Sequence, residues 1–438
     1  MADKGMTLAV VLLVAGLIVG GGVGYFAAPT KTVTQSTTVT QTVKELPLKN
    51  AVVKVGYIAS DTTELETGKP YHEQIIVRDM NAYAKTLGYG TTFTFNVDDA
   101  QGQANTHLEK VQGFKSAGIT VFEGGGWSSQ ASAALAYCNS NAMLMWSSSS
   151  TSPTLAIAND NLFRMCTADT HLSPALADVM WAAGVKTIVI FQRGDSWGDG
   201  IVNLLVPIWT QMGGKVAGEK IRYANEVTEF ANYLTVADQQ VKTAVASYGG
   251  ETQRVGVVIL SFSEISVILK QVSSYPNIYN VHWWGSDGTA KSQRAMDDAP
   301  EEANHIGIYS LLSRETLTPL YVKLEAEYVA LTNQQYGTYS AYSYDIWGVV
   351  TSTMYKTQST SGAVLVPFQK LTSDEYWGAA GWSKLDEFGD RAAPPYDAWG
   401  FYPSAANPSV SVIMAQYEPD FKATTFVTSV LGFTPIGP

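Results

Sequence analysis

The sequence predicts an α/β chain of two doubly wound lobes, preceded by a membrane-spanning helix and a Thr-rich stalk. Three observations carry that prediction. From Ala51 onward, short β-branched runs alternate with helically spaced apolar residues, the pattern of parallel strands with helices on both faces of a sheet. The stretch from Ala51 to Pro438 is too long for one open sheet of modest size, so it divides into two lobes. Before Ala51 the composition is of another kind, first apolar and then dominated by Thr.

The N-terminal part comes first in the chain. Met6 to Phe26 is an uncharged apolar run, long enough at about 1.5 Å per residue to cross a hydrocarbon core of roughly 30 Å. It exceeds the roughly 7–15 residues of a secretory h-region, so residues 1–28 read as an anchor in preference to a cleaved signal. Lys4-Gly5 ahead of the run resembles the processing site of archaeal pilin-like signal peptides. No Cys follows the run to take a lipid. In residues 29–50 the tetrad TVTQ occurs twice, Thr dominates and there is almost no aliphatic bulk except Val, so this segment reads as an extended stalk. An anchor, a stalk and a large globular unit together describe a tethered cell-surface protein.

In the globular part, VVKVGYIA (52–59) reads as a strand. Ile75, Ile76, Met80, Tyr83, Ala84 and Leu87 then recur at helical spacing. TTFTFNV (91–97) is the next strand, and Leu108, Val111 and Phe114 mark the next helix. TVFEG (120–124), AMLMW (142–146), KTIVIF (186–191), KVAGEKIRY (215–223), RVGVVILS (254–261) and NVHWWG (280–285) continue the series.

A doubly wound sheet binds ligands beyond the carboxyl ends of its strands. Three loops there stand out. After TVFEG comes GGWSSQAS, whose glycines allow close backbone approach and whose Ser128, Ser129 and Gln130 open a helix. After AMLMW comes a run of serines with Thr151, ending at Pro153. After NVHWW comes GSDG, with Asp287 on a tight turn. Serines in such places ordinarily cap helices, and Gly-Ser-Asp-Gly ordinarily makes an exposed turn. Taken together, a Ser-rich helix N-terminus suits a carboxylate, and an isolated Asp opposite it suits an ammonium group.

Composition narrows the function classes. Asp and Glu total 39 against 28 Lys and Arg, with no basic run, which excludes a phosphate-binding nucleic-acid surface. The two cysteines, Cys138 and Cys166, form no CxxC pair and no disulfide framework; two buried thiols are the simpler expectation. His72, His107, His171, His282 and His305 show no HxxxH or HExxH spacing, so neither metal nor cofactor is expected. Gly194 to Gly198 spells G-x-S-x-G around Ser196, the form of a hydrolase nucleophile elbow. Gln192-Arg193 separate it from the predicted strand, however, and no His follows His305. An enzyme is therefore not expected.

The same residues resemble the type I periplasmic-binding-protein family, specifically the branched-chain amino-acid (Leu/Ile/Val-type) receptors of ABC transporters, over nearly all of 51–403. VVKVGYIAS is similar to the opening strand and NVDDAQGQANTHLEKVQGF to the second-strand segment. FEGGGWSSQASAA resembles the carboxylate-binding loop, MLMWSSSSTSPTL the strand with a Ser-Pro-Ala-Ala-Thr-like loop, and NLFRMCTADTH the strand entering the second lobe. TIVIFQRGDSWGDGI, SAYSYDIWGVV and LDEFGDRAAPPYDAWGF follow in the family's order.

The resemblance implies two Rossmann-like lobes joined by a three-strand hinge, with 51–168 and 290–345 in lobe 1 and 169–289 and 346–438 in lobe 2. It implies that Ser128 and the Ser129 backbone take a ligand carboxylate, helped by Thr151, beside Trp127. Ser149, next to Ser150, offers a carbonyl to an ammonium group. Asp287 pairs with that ammonium, one carbon shorter than the family's usual Glu. Trp197 is the second-lobe aromatic, Ser261-Phe262 stand at another aromatic position, and Thr67 lies near a first-strand loop over the ligand side chain. The expected function is a surface solute receptor of an ABC importer. It would close on an amino acid or similar zwitterion and deliver it to permease and ATPase subunits on other chains. Amides, urea, aromatic acids, or a structural or sensing role are the alternatives.

Overall fold

The computed structural model describes residues 46–392 and 394–437. The expected anchor and nearly all of the expected stalk lie outside these residues. Among the described residues no helix is long and apolar enough to cross a membrane.

Two sheets form the frame. The first contains β1 (Val52–Ala59), β2 (Thr92–Asp99), β3 (Val121–Glu123), β4 (Leu144–Ser147) and β5 (Leu162–Arg164), all parallel, in the order β2-β1-β3-β4-β5. One face packs Val53, Val55 and Trp146 against helices from both ends of the chain, among them Pro319–Thr332 and Thr338–Thr357. The other packs Ile58 and Phe122 against Ala104–Ser116 and Ser128–Ser140. β1, β3 and β4 are buried along most of their length, as parallel strands covered on both faces must be.

The second sheet is built on β6 (Thr187–Arg193), β7 (Lys215–Val216), β8 (Ile221–Tyr223), β9 (Val255–Leu260), β10 (His282–Gly285) and β11 (Ile308–Ser313). A separate ribbon of β12 (Trp377–Gly378) and β13 (Gly381–Trp382) comes next in the chain. β14 (Tyr396–Tyr402), β15 (Val410–Glu418) and β16 (Ala423–Phe426) then extend the second sheet. Its order is β16-β15-β14-β11-β10-β9-β6-β7, with β8 also on β6.

The structure changes four expectations. The second sheet is mixed, because β14, β15 and β16 pair antiparallel. The single strand expected over 215–223 is two short ones, broken where Gly218 turns at φ +63°. The segment from Asp61 to His72 is not a loop. Asp61 caps the helix Thr62–Pro70 by accepting from the Glu64 N–H (2.8 Å), and the chain continues through a π-helical stretch, Tyr71–Ile76, where Pro70 interrupts the regular ladder.

The fourth change concerns lobe membership. β11 belongs to the second sheet, whereas the helix Thr338–Thr357 and the short helices through Asp374 pack on the first. The chain crosses between the sheets at 165–168, 314–318 and 391–395, and not at 345/346, which lies inside an unbroken helix. Arg164 braces these crossings: its guanidinium forks onto Asp390 (2.6 and 2.5 Å) and donates to the Ser150 and Ser152 carbonyls (2.8 Å each).

Candidate ligand-binding cleft

The carboxyl ends of the two sheets face each other, and the loops that leave them touch across the gap. The Ser152 hydroxyl donates to the Ser196 carbonyl (2.9 Å), Arg294 donates to the Thr63 hydroxyl (3.2 Å), and Trp127 lies 5.2 Å from Phe262, centroid to centroid. These contacts close the cleft around a very small cavity, lined by Thr151, Cys166, Thr167, Leu172, Asp287, Ser313, Tyr339 and Tyr396.

The first lobe supplies the Ser-rich side. The helix Ser128–Ser140 starts directly after the glycine run, so the Ser128 and Ser129 N–H groups are among those that helix geometry leaves without an internal acceptor. Gln130 pins the helix start by donating to the Ser60 carbonyl (2.8 Å). A Cβ at Gly126 would collide with the Ser60 hydroxyl and come within 3.1 Å of Ser149 Oγ, so a side chain there would force these serines to turn away. The Ser128 hydroxyl accepts from the Ser152 N–H (3.1 Å), joining this helix start to the loop after β4. In that loop Ser147 Oγ accepts from the Ser150 N–H (3.1 Å), and Ser149 donates to the Gly126 carbonyl (3.0 Å). The Ser150 and Thr151 hydroxyls are left buried and unpartnered.

The second lobe supplies aromatic and acidic groups. Asp195 caps the helix Ser196–Gln211 by accepting from the Trp197 and Gly198 N–H groups (3.2 and 3.0 Å). Trp197 is buried and stacks on Phe262 at 4.4 Å. Arg193, held by Asp195 (2.7 Å) and Glu264 (2.8 Å), faces both the Phe262 ring (4.8 Å) and, across the cleft, the Trp127 ring (5.0 Å). Asp287 accepts from the Tyr339 hydroxyl through Oδ2 (2.5 Å), while its Oδ1 is buried without a partner.

Of the expected site residues, Thr151 and Asp287 share the cavity, Ser128 is bonded to the loop carrying Thr151, and Trp127, Phe262 and Trp197 form one aromatic stack. Ser129, Ser149 and Ser150 lie in the same two loops. Ser261 is buried after β9 with an unpartnered hydroxyl. Thr67 stands apart: it lies inside the helix Thr62–Pro70 and spends its hydroxyl on the Glu64 carbonyl (3.2 Å).

Sequence reasoning missed Asp169. It is fully buried at the start of the helix Asp169–Ala183, and neither of its oxygens has a hydrogen-bond partner. Burial and then the charge of Asp287 push its carboxyl well above the usual range; burial likewise raises Asp287, against the Tyr339 hydrogen bond. The signal was present, since Asp169 closes NLFRMCTAD just past a strand, but no Ser- or Gly-rich turn marks that segment. Tyr339 and Tyr396 were missed because they reach the cavity from a helix and a strand distant in sequence.

Ser196 does not sit in a hydrolytic arrangement. β6 runs through Arg193, so the turn does follow the strand directly, as an elbow requires. The Ser196 hydroxyl is buried without a hydrogen-bond partner, His282 is bonded to the Ile306 carbonyl (3.1 Å), and His305 stacks on Tyr279. Cys138 and Cys166 are both free and buried, and burial pushes the Cys138 thiol up to about 12.

Comparison with known proteins agrees with this geometry. The receptor family ligand binding region matches residues 77–404. An uncharacterised protein of Methanocaldococcus jannaschii is 25% identical over 402 residues, covering 87% of this chain and 93% of its own. Among solved structures, a leucine-binding protein of Thermotoga maritima aligns with a TM-score of 0.66 at 17% identity, covering 84% of this chain and 99% of that one. A branched-chain amino-acid transporter substrate-binding protein of Streptococcus pneumoniae, solved with isoleucine, gives 0.63 at 15%, covering 83% and 99%. A solute-binding protein of Rhodopseudomonas palustris, solved with 3,4-dihydroxybenzoic acid, gives 0.64 at 16%, covering 86% and 97%. The chain therefore belongs to the receptor family ligand binding region, on the two-lobed fold of type I periplasmic binding proteins.

Proposed function

We propose that this protein is the solute receptor of an ABC importer, and that it closes on an amino acid or similar small zwitterion. One observation carries the reading: Asp287 presents a buried carboxylate oxygen without a partner on the cavity, the buried and unpartnered carboxyl of Asp169 lies close to it, and among the described residues no cationic side chain lines the cavity. A buried carboxyl is accommodated either protonated or as a carboxylate opposite a countercharge, and a ligand's ammonium group supplies that countercharge. The Ser128–Ser129 helix start across the cleft suits the ligand's carboxylate. Closure would bury both ends, and a permease with its ATPase on other chains would receive the ligand. The apolar run Met6–Phe26 would hold the receptor at the outer surface of the cytoplasmic membrane.

The test is calorimetric titration of the purified full chain with single amino acids, carboxamides, urea and aromatic acids. Binding of an amino acid, lost in Asp287→Ala, supports the reading. Binding of benzoate-like acids alone supports a second reading, favoured by the Trp127–Phe262–Trp197 stack and by the aromatic acid in the Rhodopseudomonas palustris protein.

A further inference from the structure

The acid that would hold the ammonium group belongs to the second lobe, and the hydroxyl bonded to it belongs to the first. Tyr339 is the second residue of the helix Thr338–Thr357, whose buried face packs in the first lobe's core. Asp287 follows β10 in the second sheet. Their 2.5 Å hydrogen bond therefore spans the cleft. A second tie holds the same two segments in register: Lys291 donates to Glu315 (2.9 Å), which also accepts from the Thr338 hydroxyl (3.4 Å).

We propose that Tyr339 is a positioning residue that makes Asp287 ligand-competent only when the lobes are closed. This rests on the zwitterion reading above. The phenol occupies Oδ2, so it orients the carboxylate and leaves Oδ1 directed at the ligand. Donation to the ionised form favours that form against the burial that opposes it. The other titratable groups beside Asp287 are Asp169 on the helix Asp169–Ala183, Cys166 in a crossing segment and Tyr396 on β14. None of them is cationic, so hydrogen-bond donors alone favour the charged form of Asp287 before ligand arrives, with Tyr339 first among them and the Ser286 hydroxyl and Gly288 N–H behind it. When the lobes open this donor withdraws and water takes its place, so the acid stays charged but loses its orientation. Asp287 thus senses closure as well as ligand.

The experiment compares the wild type, Tyr339→Phe, Asp287→Asn and the double variant, all as full chains. Each is titrated between about pH 4 and pH 8 with the proteinogenic L-amino acids added singly. Tyr339→Phe should weaken the best-binding amino acid about tenfold at pH 7. It should also move the acid limit of binding to higher pH, because the carboxyl protonates more readily without the phenol. In the Asp287→Asn background the same change should add nothing. Without ligand, the melting-temperature difference between wild type and Tyr339→Phe should grow as pH rises through the Asp287 titration, and should be flat with Asn at 287. An unchanged acid limit, or a pH-independent ligand-free difference, overturns the proposal. If no amino acid binds the wild type, the zwitterion reading fails, and the ligand-free comparison alone decides the role of Tyr339 in holding Asp287.

Discussion

At the scale of single residues, the cleft is a place where ligand-free stability is given up. Asp169 and Asp287 are shielded from water with unpartnered oxygens, and burial raises both carboxyls. A carboxyl raised in the folded state contributes stability at acid pH, and that contribution is lost as pH climbs from the unfolded value of about 4 through the folded one. Asp169→Asn should therefore flatten the decline of the ligand-free melting temperature above about pH 4. It should raise that temperature by about 2–4 °C near neutrality, where the wild-type residue is disfavoured, while abolishing amino-acid binding. Thermal melts across pH, with and without ligand, check both halves. Trp127→Ala should leave each lobe folded but remove the face that meets Phe262 and Arg193, weakening binding roughly fivefold to tenfold by loss of a contact worth about 1 kcal/mol. Equal affinity in titration would remove Trp127 from the closing surface.

At the scale of elements, the loop after β4 is held from behind. Arg164, fully buried on β5, spends two donors on the Ser150 and Ser152 carbonyls and a fork on Asp390. It shapes the backbone that carries Thr151 without facing the cavity. Removing one partner of a buried pair leaves the other charge uncompensated, so Asp390→Ala should cost about 3–5 kcal/mol in denaturant unfolding. Arg164→Lys should cost stability as well, because a single ammonium cannot reproduce the planar fork. Four strands of the first sheet were legible as short apolar or β-branched runs, and VVKVGYIA coincides with β1, whereas the three-residue β5 was legible only through the family resemblance. The Thr62–Pro70 helix was not, because its polar sequence carries little apolar periodicity and its start depends on one Asp61 cap.

At the scale of the molecule, the proposed closure requires the two lobes to approach closely, and Gly200 marks one place where they touch. Gly200 in the second lobe packs on the first: a Cβ there would stand 2.9 Å from Pro153 Cδ and 3.1 Å from Ser152 Oγ. Gly200→Val should therefore prop the cleft open. Affinity should fall at least tenfold with little change in the ligand-free melting temperature, and small-angle scattering should show no contraction when ligand is added. Contraction of Gly200→Val equal to that of the wild type would place the closing surface elsewhere.

The sequence alone determined the alternation of strands and helices, the two lobes, and the loops that face the cleft. These follow from local rules: burial of parallel strands on both faces, glycine where backbones approach, and serines at helix starts. Only the tertiary structure decided the mixed second sheet, the crossings at 314–318 and 391–395, and the meeting of Asp287 and Tyr339 on one cavity with Asp169 close to Asp287. β14 to β16 pair by register with β11 and each other, which no local period announces. The cavity draws residues from six segments spread between Thr151 and Tyr396, and a carboxylate's surroundings are set by what folds against it. The physical reason is the same in both cases: pairing and burial are properties of distant parts of the chain brought together.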